Sequence, residues 1–413
     1  MNYKLIIFDV EGVLLPKWRY IPFEVSRNIP ISKFLWILII GILYEIGVLS
    51  LETTLKRVYK NLKGYTLKAF YQDFKKIPLI PGAKETIKRL KEKNYKIALI
   101  SSSLPEIFIK KLAKELNADY AFGVKLKFSR GKFNGEIEGD VIKKNGKLLI
   151  LKKIQKTENL TPKNCVLVAD DRNNLQMFPY VDIKIGFNPD FVLSTKADYV
   201  ITGELNNILP ILFKGKSDKR SYKISRNDLI RLIIHMSGFL TVVPCIYLTQ
   251  PYVMAVLILA MGVLYMISEF ARIYGKNFPL FSSITLKAAK TSELYEFVSA
   301  PIFYSLGIAL PLLIFPTNIA YSTIAILTLG DGLAAITGKI SSMATYPFNK
   351  AKHIEGTLVG LLFAFIGASL FLNPTKALLG AVIGMIIECL PFPINDNLTI
   401  PLITGLILTV TPF

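Results

Sequence analysis

Cysteine is scarce in this chain, with three residues in 413, and Cys165, Cys245 and Cys389 each stand alone in apolar sequence. Their spacing fits neither a disulfide framework nor a metal-ligand set, so they read as inert core thiols. Charged residues are also few, 19% of the chain against 52% apolar, yet the formal net charge is +20. Greasy segments and a basic surface therefore share one polypeptide, the composition of a membrane protein with cationic loops. Lysine and arginine cluster before and between the apolar stretches. Cytosolic loops facing anionic headgroups have that pattern, and a nucleic-acid groove does not, so no nucleic-acid partner is expected. Missing too is a basic region followed by a cleavable apolar one, because Met-Asn-Tyr-Lys runs straight into an apolar strand. No signal peptide is expected. At 413 residues the chain is too long for one core, so two or more domains are anticipated.

Over residues 1–212, short apolar runs at 5–8, 97–100, 166–169 and 183–186 alternate with lysine-rich helical patterns. This rhythm predicts an α/β doubly wound parallel sheet. Residues 213–228 form a basic juxtamembrane linker, and 229–413 read as an all-α polytopic membrane domain of about seven helices. The stretches lie near 229–248, 251–269, 297–315, 318–336, 356–372, 376–391 and 398–412. The positive-inside rule keeps the linker cytosolic, and the loops with Arg272, Lys276, Lys287 and Lys290 and with Lys339, Lys350 and Lys352 then fall inside as well. The expectation is an integral protein of the cell membrane with a cytoplasmic N-terminal domain.

Three strand ends in the first half carry chemistry. Asp9 and Glu11 stand two residues apart, so both side chains leave the same side at the carboxyl edge of the first strand. Ser101 and Ser102 follow a second strand with hydroxyls and amides suited to phosphate, and Asp170, Asp171, Arg172, Asn173 and Asn174 follow a third, suited to a hard, oxygen-liganded cation. These pieces, with residues 134–139 and Asn145-Gly146-Lys147, resemble the haloacid dehalogenase superfamily, and within it the phosphoserine phosphatase branch, over about the first 210 residues. The resemblance implies that Asp9 attacks phosphorus, that Glu11 protonates the leaving group and then activates water, and that Ser101, Ser102, Lys147 and Asn173 contact the substrate. It further implies Mg2+ bound by Asp9, the Glu11 carbonyl and Asp170, with Asp171 standing in for a second acid where this chain has Asn174. The branch usually has Asp where Glu11 stands. Read one at a time, Asp9 and Ser101 are ordinary helix caps and Lys147 one lysine of a solvated face.

Residues 15–85 occupy the place of that branch's helical cap. Within them 34–51 is apolar enough to pass for a membrane helix, but one crossing would separate Asp9 from Ser101. An interfacial helix, or one packed inside the cap, is expected instead, and with it a lipid phosphate as substrate.

In the second half the ionisable residues converge on the cytosolic side: His235, Glu269, Asp331, Glu355, Glu388 and Asp396. The segments 329–335, 352–357 and 396–401 resemble the dolichol kinase group, membrane enzymes that phosphorylate lipid alcohols with CTP and are similar to phosphatidate cytidylyltransferases. That likeness implies phosphoryl transfer to a lipid alcohol, with Asp331 catalytic, Asp331, Glu355 and Asp396 as metal ligands, and Lys350, Lys352 and Asn397 as substrate contacts. A cytidylyltransferase and a non-catalytic anchor are the alternatives.

Overall fold

A computed structural model describes residues 4–17, 24, 30–45, 48–214, 226–273, 275–276, 278, 281–288, 297–341, 344–349, 352–390 and 395–412. The chain divides into two compact units, Met1–Lys216 and Ser217–Phe413.

The first unit is built on seven strands in the order β4-β3-β2-β1-β5-β6-β7. They are β1 Leu5–Asp9, β2 Lys96–Pro105, β3 Tyr120–Ser129, β4 Lys132–Glu138, β5 Cys165–Ala169, β6 Ile183–Phe187 and β7 Tyr199–Ile201. All neighbours pair in parallel except the β3–β4 hairpin at one edge. The central strands β1 and β5 are buried along their whole length, which is why they read as unbroken apolar runs. The sheet was therefore legible, but β2 continues through the serines to Pro105, farther than its apolar run suggests. Its register against β3 breaks between Ile100 and Pro105. The break follows from Ser101, whose Oγ accepts hydrogen bonds from the amides of Ser103 (3.2 Å) and Leu104 (2.9 Å) and so removes them from the ladder.

Between β1 and β2 lie α1 Ile31–Glu45, α2 Leu51–Lys60, α3 Leu67–Lys75 and α4 Ala83–Glu92. Ser50 and Thr66 cap α2 and α3, each accepting a backbone amide three residues on. Tyr59 and Phe70 pack edge-on against Phe133 of β4, which seats the cap on the hairpin. The apolar stretch 34–51 is not one continuous helix, because α1 ends at Glu45 and α2 starts only at Leu51. Ile37 and Ile40 of α1 are buried in the core, while Trp36 and Ile39 are about half exposed. After β2 come α5 Glu106–Leu116 and α6 Gly146–Thr157.

The second unit is helical: α7 Arg226–Tyr247, α8 Pro251–Ile273, α9 Phe281–Ala288, α10 Ala300–Ile314, α11 Thr317–Ser341, α12 Ile354–Ala368, α13 Pro374–Cys389 and α14 Asp396–Val410. A helix stands at each of the seven expected stretches, but among the described residues only α7, α8 and α11 are long and apolar enough to cross a membrane. The other apolar helices are shorter, α10, α12 and α14 at 15 residues each and α13 at 16, against the ~20 of a typical crossing. The loop expected to carry Lys287 contains α9. Helix α7 begins at Arg226, inside the segment expected to be linker. All three cysteines are buried and unpaired by disulfide.

Candidate active sites

In the first unit the carboxyl ends of β1, β2 and β5 meet. Asp9, almost fully buried, accepts a hydrogen bond from the Lys147 ammonium (2.7 Å) and one from the Asn174 amide (2.5 Å) on Oδ2, and one from Val10 N on Oδ1 (2.8 Å). Lys147 is itself buried and also donates to Asn174 Oδ1 at 2.9 Å. It is no member of a solvated lysine face. Asn145 takes a left-handed conformation to start α6, and a Cβ on Gly146 would lie 1.8 Å from the Asp140 carbonyl oxygen, so only glycine lets the helix start there and turn Lys147 inward.

Ligand oxygens of Asp9, Asp170 and Asp171 lie within 4.8 Å of one another, the one such group among the described residues. A hard dication takes this donor set, and Lys17 Nζ, 2.7 Å from Asp170 Oδ2, shows that the site draws positive charge. Lys17 was not singled out from the sequence, where it looks like any other lysine of a basic chain. Burial raises Asp9 and Asp170 above the usual carboxylate range, opposed chiefly by Lys147 at Asp9 and by Lys17 at Asp170. For Lys147 burial works downward, but Asp9, Asp171 and Asp170 outweigh it and hold the ammonium charged. Glu11 is pushed up to about 8, by loss of hydration first and by the Asp9 charge second. It is therefore a protonated acid at neutral pH, the state a proton donor requires.

Ser101 spends its oxygen on two amides, which leaves its own proton to give. The Ser102 hydroxyl is buried and has no partner among the described residues. A buried hydroxyl left unpaired is costly, and a phosphoryl oxygen arriving at this edge would satisfy it. Asn173 is engaged elsewhere: its amide group donates to Asp171 Oδ2 at 2.8 Å, and its Oδ1 accepts from Tyr44 OH of α1 at 2.7 Å. Tyr44 thus ties the cap to the loop that carries Asp170 and Asp171, a contact no local pattern could reveal.

Gly12 has φ +79° and a Cβ there would lie 2.2 Å from Asp170 Oδ2. We expect Gly12→Ala to cost about 1–2 kcal/mol from the backbone alone and to displace Asp170 besides. Thermal unfolding and Mg2+ titration of the variant check this; unchanged metal affinity would contradict it.

The second unit holds a second cluster. Lys352 Nζ lies 2.6 Å from Glu388 Oε1, 3.1 Å from Asp396 Oδ2 and 3.8 Å from Asp331 Oδ1, and His235 Nε2 lies 3.4 Å from Asp331 Oδ2. Asp331 ends a π-helical turn over Ile326–Asp331 inside α11, a local widening frequent at functional sites. His235, Asp331, Lys339, Lys352, Asp396 and Asn397 line one cavity of about 440 Å³, whose other wall includes Met261, Phe281, Ile284 and Val298. The Asn397 Oδ1 atom is shielded and has no partner among the described residues. Glu355 is not brought into this cluster; it accepts from the Ala344 amide at 2.9 Å, a structural bond. Glu269 likewise pairs with Arg272 at 2.8 Å. Lys350 lies outside the described residues. Gly330 packs against Ala364 of α12, so it serves helix contact.

Residues 3–182 match the model of the haloacid dehalogenase-like hydrolases. Phosphoserine phosphatase of Methanocaldococcus jannaschii is 36% identical over 155 residues, which cover 38% of this chain and 73% of that protein. The chain belongs to the haloacid dehalogenase-like hydrolases. Phosphoserine phosphatase of Archaeoglobus fulgidus is 34% identical over 158 residues, 38% of this chain and 46% of that one. A solved structure of a phospho-aspartyl intermediate analogue of phosphoserine phosphatase is 32% identical, covers 51% of this chain and 98% of that chain, and superposes with a TM-score of 0.46. As a haloacid dehalogenase-like hydrolase, the chain carries a phosphoric monoester hydrolase in its first unit.

Proposed function

We propose that this chain is a membrane-bound, bifunctional lipid-phosphate enzyme, hydrolysing a lipid phosphomonoester in the first unit and phosphorylating a lipid alcohol from CTP in the second. The observation that carries the first activity is the pairing of buried Asp9 with buried Lys147 beside the Asp9, Asp170 and Asp171 oxygens. Ser101, Ser102 and Lys147 receive the phosphoryl oxygens. Asp9 attacks phosphorus, the ester P–O bond breaks, and Glu11 hands its proton to the departing oxygen. Glu11, now ionised, takes a proton from water as the water attacks phosphorus, and the Asp9–phosphate bond breaks to release inorganic phosphate. Asp9, Asp170 and Asp171, with the Glu11 carbonyl, would hold Mg2+, whose charge would let an anionic nucleophile approach an anionic phosphate. The lipid assignment is supported by Trp36 and Ile39, apolar and half exposed on a cap helix whose Tyr44 contacts the site loop.

The cavity of the second unit supports the transferase reading, since it joins apolar walls to Asp331, Lys352, Asp396 and Asn397. In it the lipid hydroxyl attacks the γ-phosphorus of CTP, the bridging P–O bond breaks and CDP leaves, while Asp331 takes the hydroxyl proton. Asp331 and Asp396 are the carboxylates offered to nucleotide-bound Mg2+, and Lys352 is the cation nearest to them.

The phosphatase reading is tested with the full chain in lipid nanodiscs, assayed for phosphate release from phosphoserine, phosphatidate and a polyprenyl phosphate, with Mg2+ and with EDTA. Release should require Mg2+ and be fastest from a lipid phosphate. A preference for phosphoserine would overturn the lipid assignment, and no release from any substrate would overturn the hydrolase mechanism.

A further inference from the structure

Lys17 takes no part in the chemistry above, yet it lies at the metal-binding carboxylates. It lies beyond β1 (Leu5–Asp9), just after the turn bridged by Glu11 and Leu15, and its Nζ is 2.7 Å from Asp170 Oδ2. The two partners differ in exposure: the Asp170 side chain is 4% exposed and the Lys17 side chain 31%. Lys147, the other ammonium of the site, is 3% exposed and is held by both Asp9 and Asn174. Lys147 is thus almost fully enclosed, whereas the Lys17 side chain is partly open to solvent. The carboxyl groups of Asp9, Glu11, Asp170, Asp171 and Asp190 act on these two ammonium groups. Asp170 belongs to the trio whose ligand oxygens lie within 4.8 Å. An ammonium on Asp170 and a dication shared by the trio compete for the same negative charge.

We propose that Lys17 is a displaceable counter-ion of the metal site. It neutralises Asp170 when no metal is bound, yields when Mg2+ arrives, and so sets the metal affinity while linking metal loading to the first segment of the cap. The inference rests on the reading of Asp9, Asp170 and Asp171 as metal ligands. Lys17 is a positioning residue here, and the readout is metal affinity itself.

The test is calorimetric titration of the full chain in nanodiscs with Mg2+, using Asp170→Asn as the blank that removes this site from any other uptake of metal. Lys17→Gln should bind Mg2+ about fivefold tighter or more, the effect of removing one unit charge at roughly 4 Å even where screening approaches that of water. Lys17→Arg, which keeps the charge, should stay within about twofold of the parent. An unchanged or weaker affinity in Lys17→Gln, with thermal unfolding like the parent's, would overturn the proposal by showing that Lys17 helps to build the site. If the parent and Asp170→Asn take up Mg2+ alike, the metal-ligand reading itself fails, an outcome distinct from the first.

Discussion

Asp9→Asn is expected to lower phosphomonoester hydrolysis by a factor on the order of 10⁴ or more, because it removes the nucleophile and cannot be replaced by another group in reach. The side chain is nearly isosteric, and Asp9 already accepts hydrogen bonds from Lys147, Asn174 and Val10. An amide in its place keeps the volume but turns one acceptor into a donor facing the Lys147 ammonium. Fold should survive while chemistry stops. Circular dichroism and thermal unfolding alongside the phosphate assay separate the two, and a well-folded variant retaining a tenth of the parent rate would show that another group attacks phosphorus.

The second large effect is expected in the second unit. Asp331→Asn and Asp396→Asn should each reduce transfer of label from [γ-³²P]CTP to a polyprenol by about 10² or more, the scale on which one electrostatic contact to a transferring phosphoryl group acts. Both residues line the cavity and flank Lys352, so each substitution also disturbs the cation. A kinase leaves label on the lipid and releases CDP, whereas a cytidylyltransferase consumes an already phosphorylated lipid and puts the label into pyrophosphate. Label in pyrophosphate would replace the kinase reading with the cytidylyltransferase, and no nucleotide turnover by the parent would leave the unit as an anchor.

Much of the first site could be read from the chain because its groups hang on strand ends. Burial on both faces of β1 and β5 forces unbroken apolar runs, and the polar residues that end those runs stand out. Lys147 was found through resemblance alone; locally it is one lysine among many, and only the fold shows it buried against Asp9. The replacement of an acid by Asn174 has a local rationale visible only in three dimensions. Its amide oxygen accepts from Lys147 and its nitrogen donates to Asp9, so it bridges that buried ion pair, while the Asp171 carboxylate lies with those of Asp9 and Asp170. Lys17 and Tyr44 went unread because their roles arise from contacts across more than a hundred residues of sequence.

In the second unit, hydropathy located a helix at each of its seven apolar stretches but missed the eight-residue α9. Apolar runs continue past helix ends into turns such as the one closed by Asn373, which caps α13. The convergence of charge on one cavity was anticipated for Asp331, Lys352 and Asp396 and not realised for Glu355, whose carboxylate serves the backbone at Ala344. A carboxylate at the first turn of a helix has that structural use open to it, and sequence alone does not choose between the two.

The most direct measurement of the central claim is a rapid acid quench of the full chain turning over a lipid phosphate with Mg2+, followed by borohydride reduction and peptide mass spectrometry. Reduction converts an acyl phosphate to the corresponding alcohol and so marks the residue that carried phosphorus. The account predicts homoserine at position 9 in the parent, none without substrate, and none in Asp9→Asn. Phosphate release that proceeds at the parent rate with position 9 unmarked, or with the mark on Glu11, Asp170 or Asp171, would contradict it.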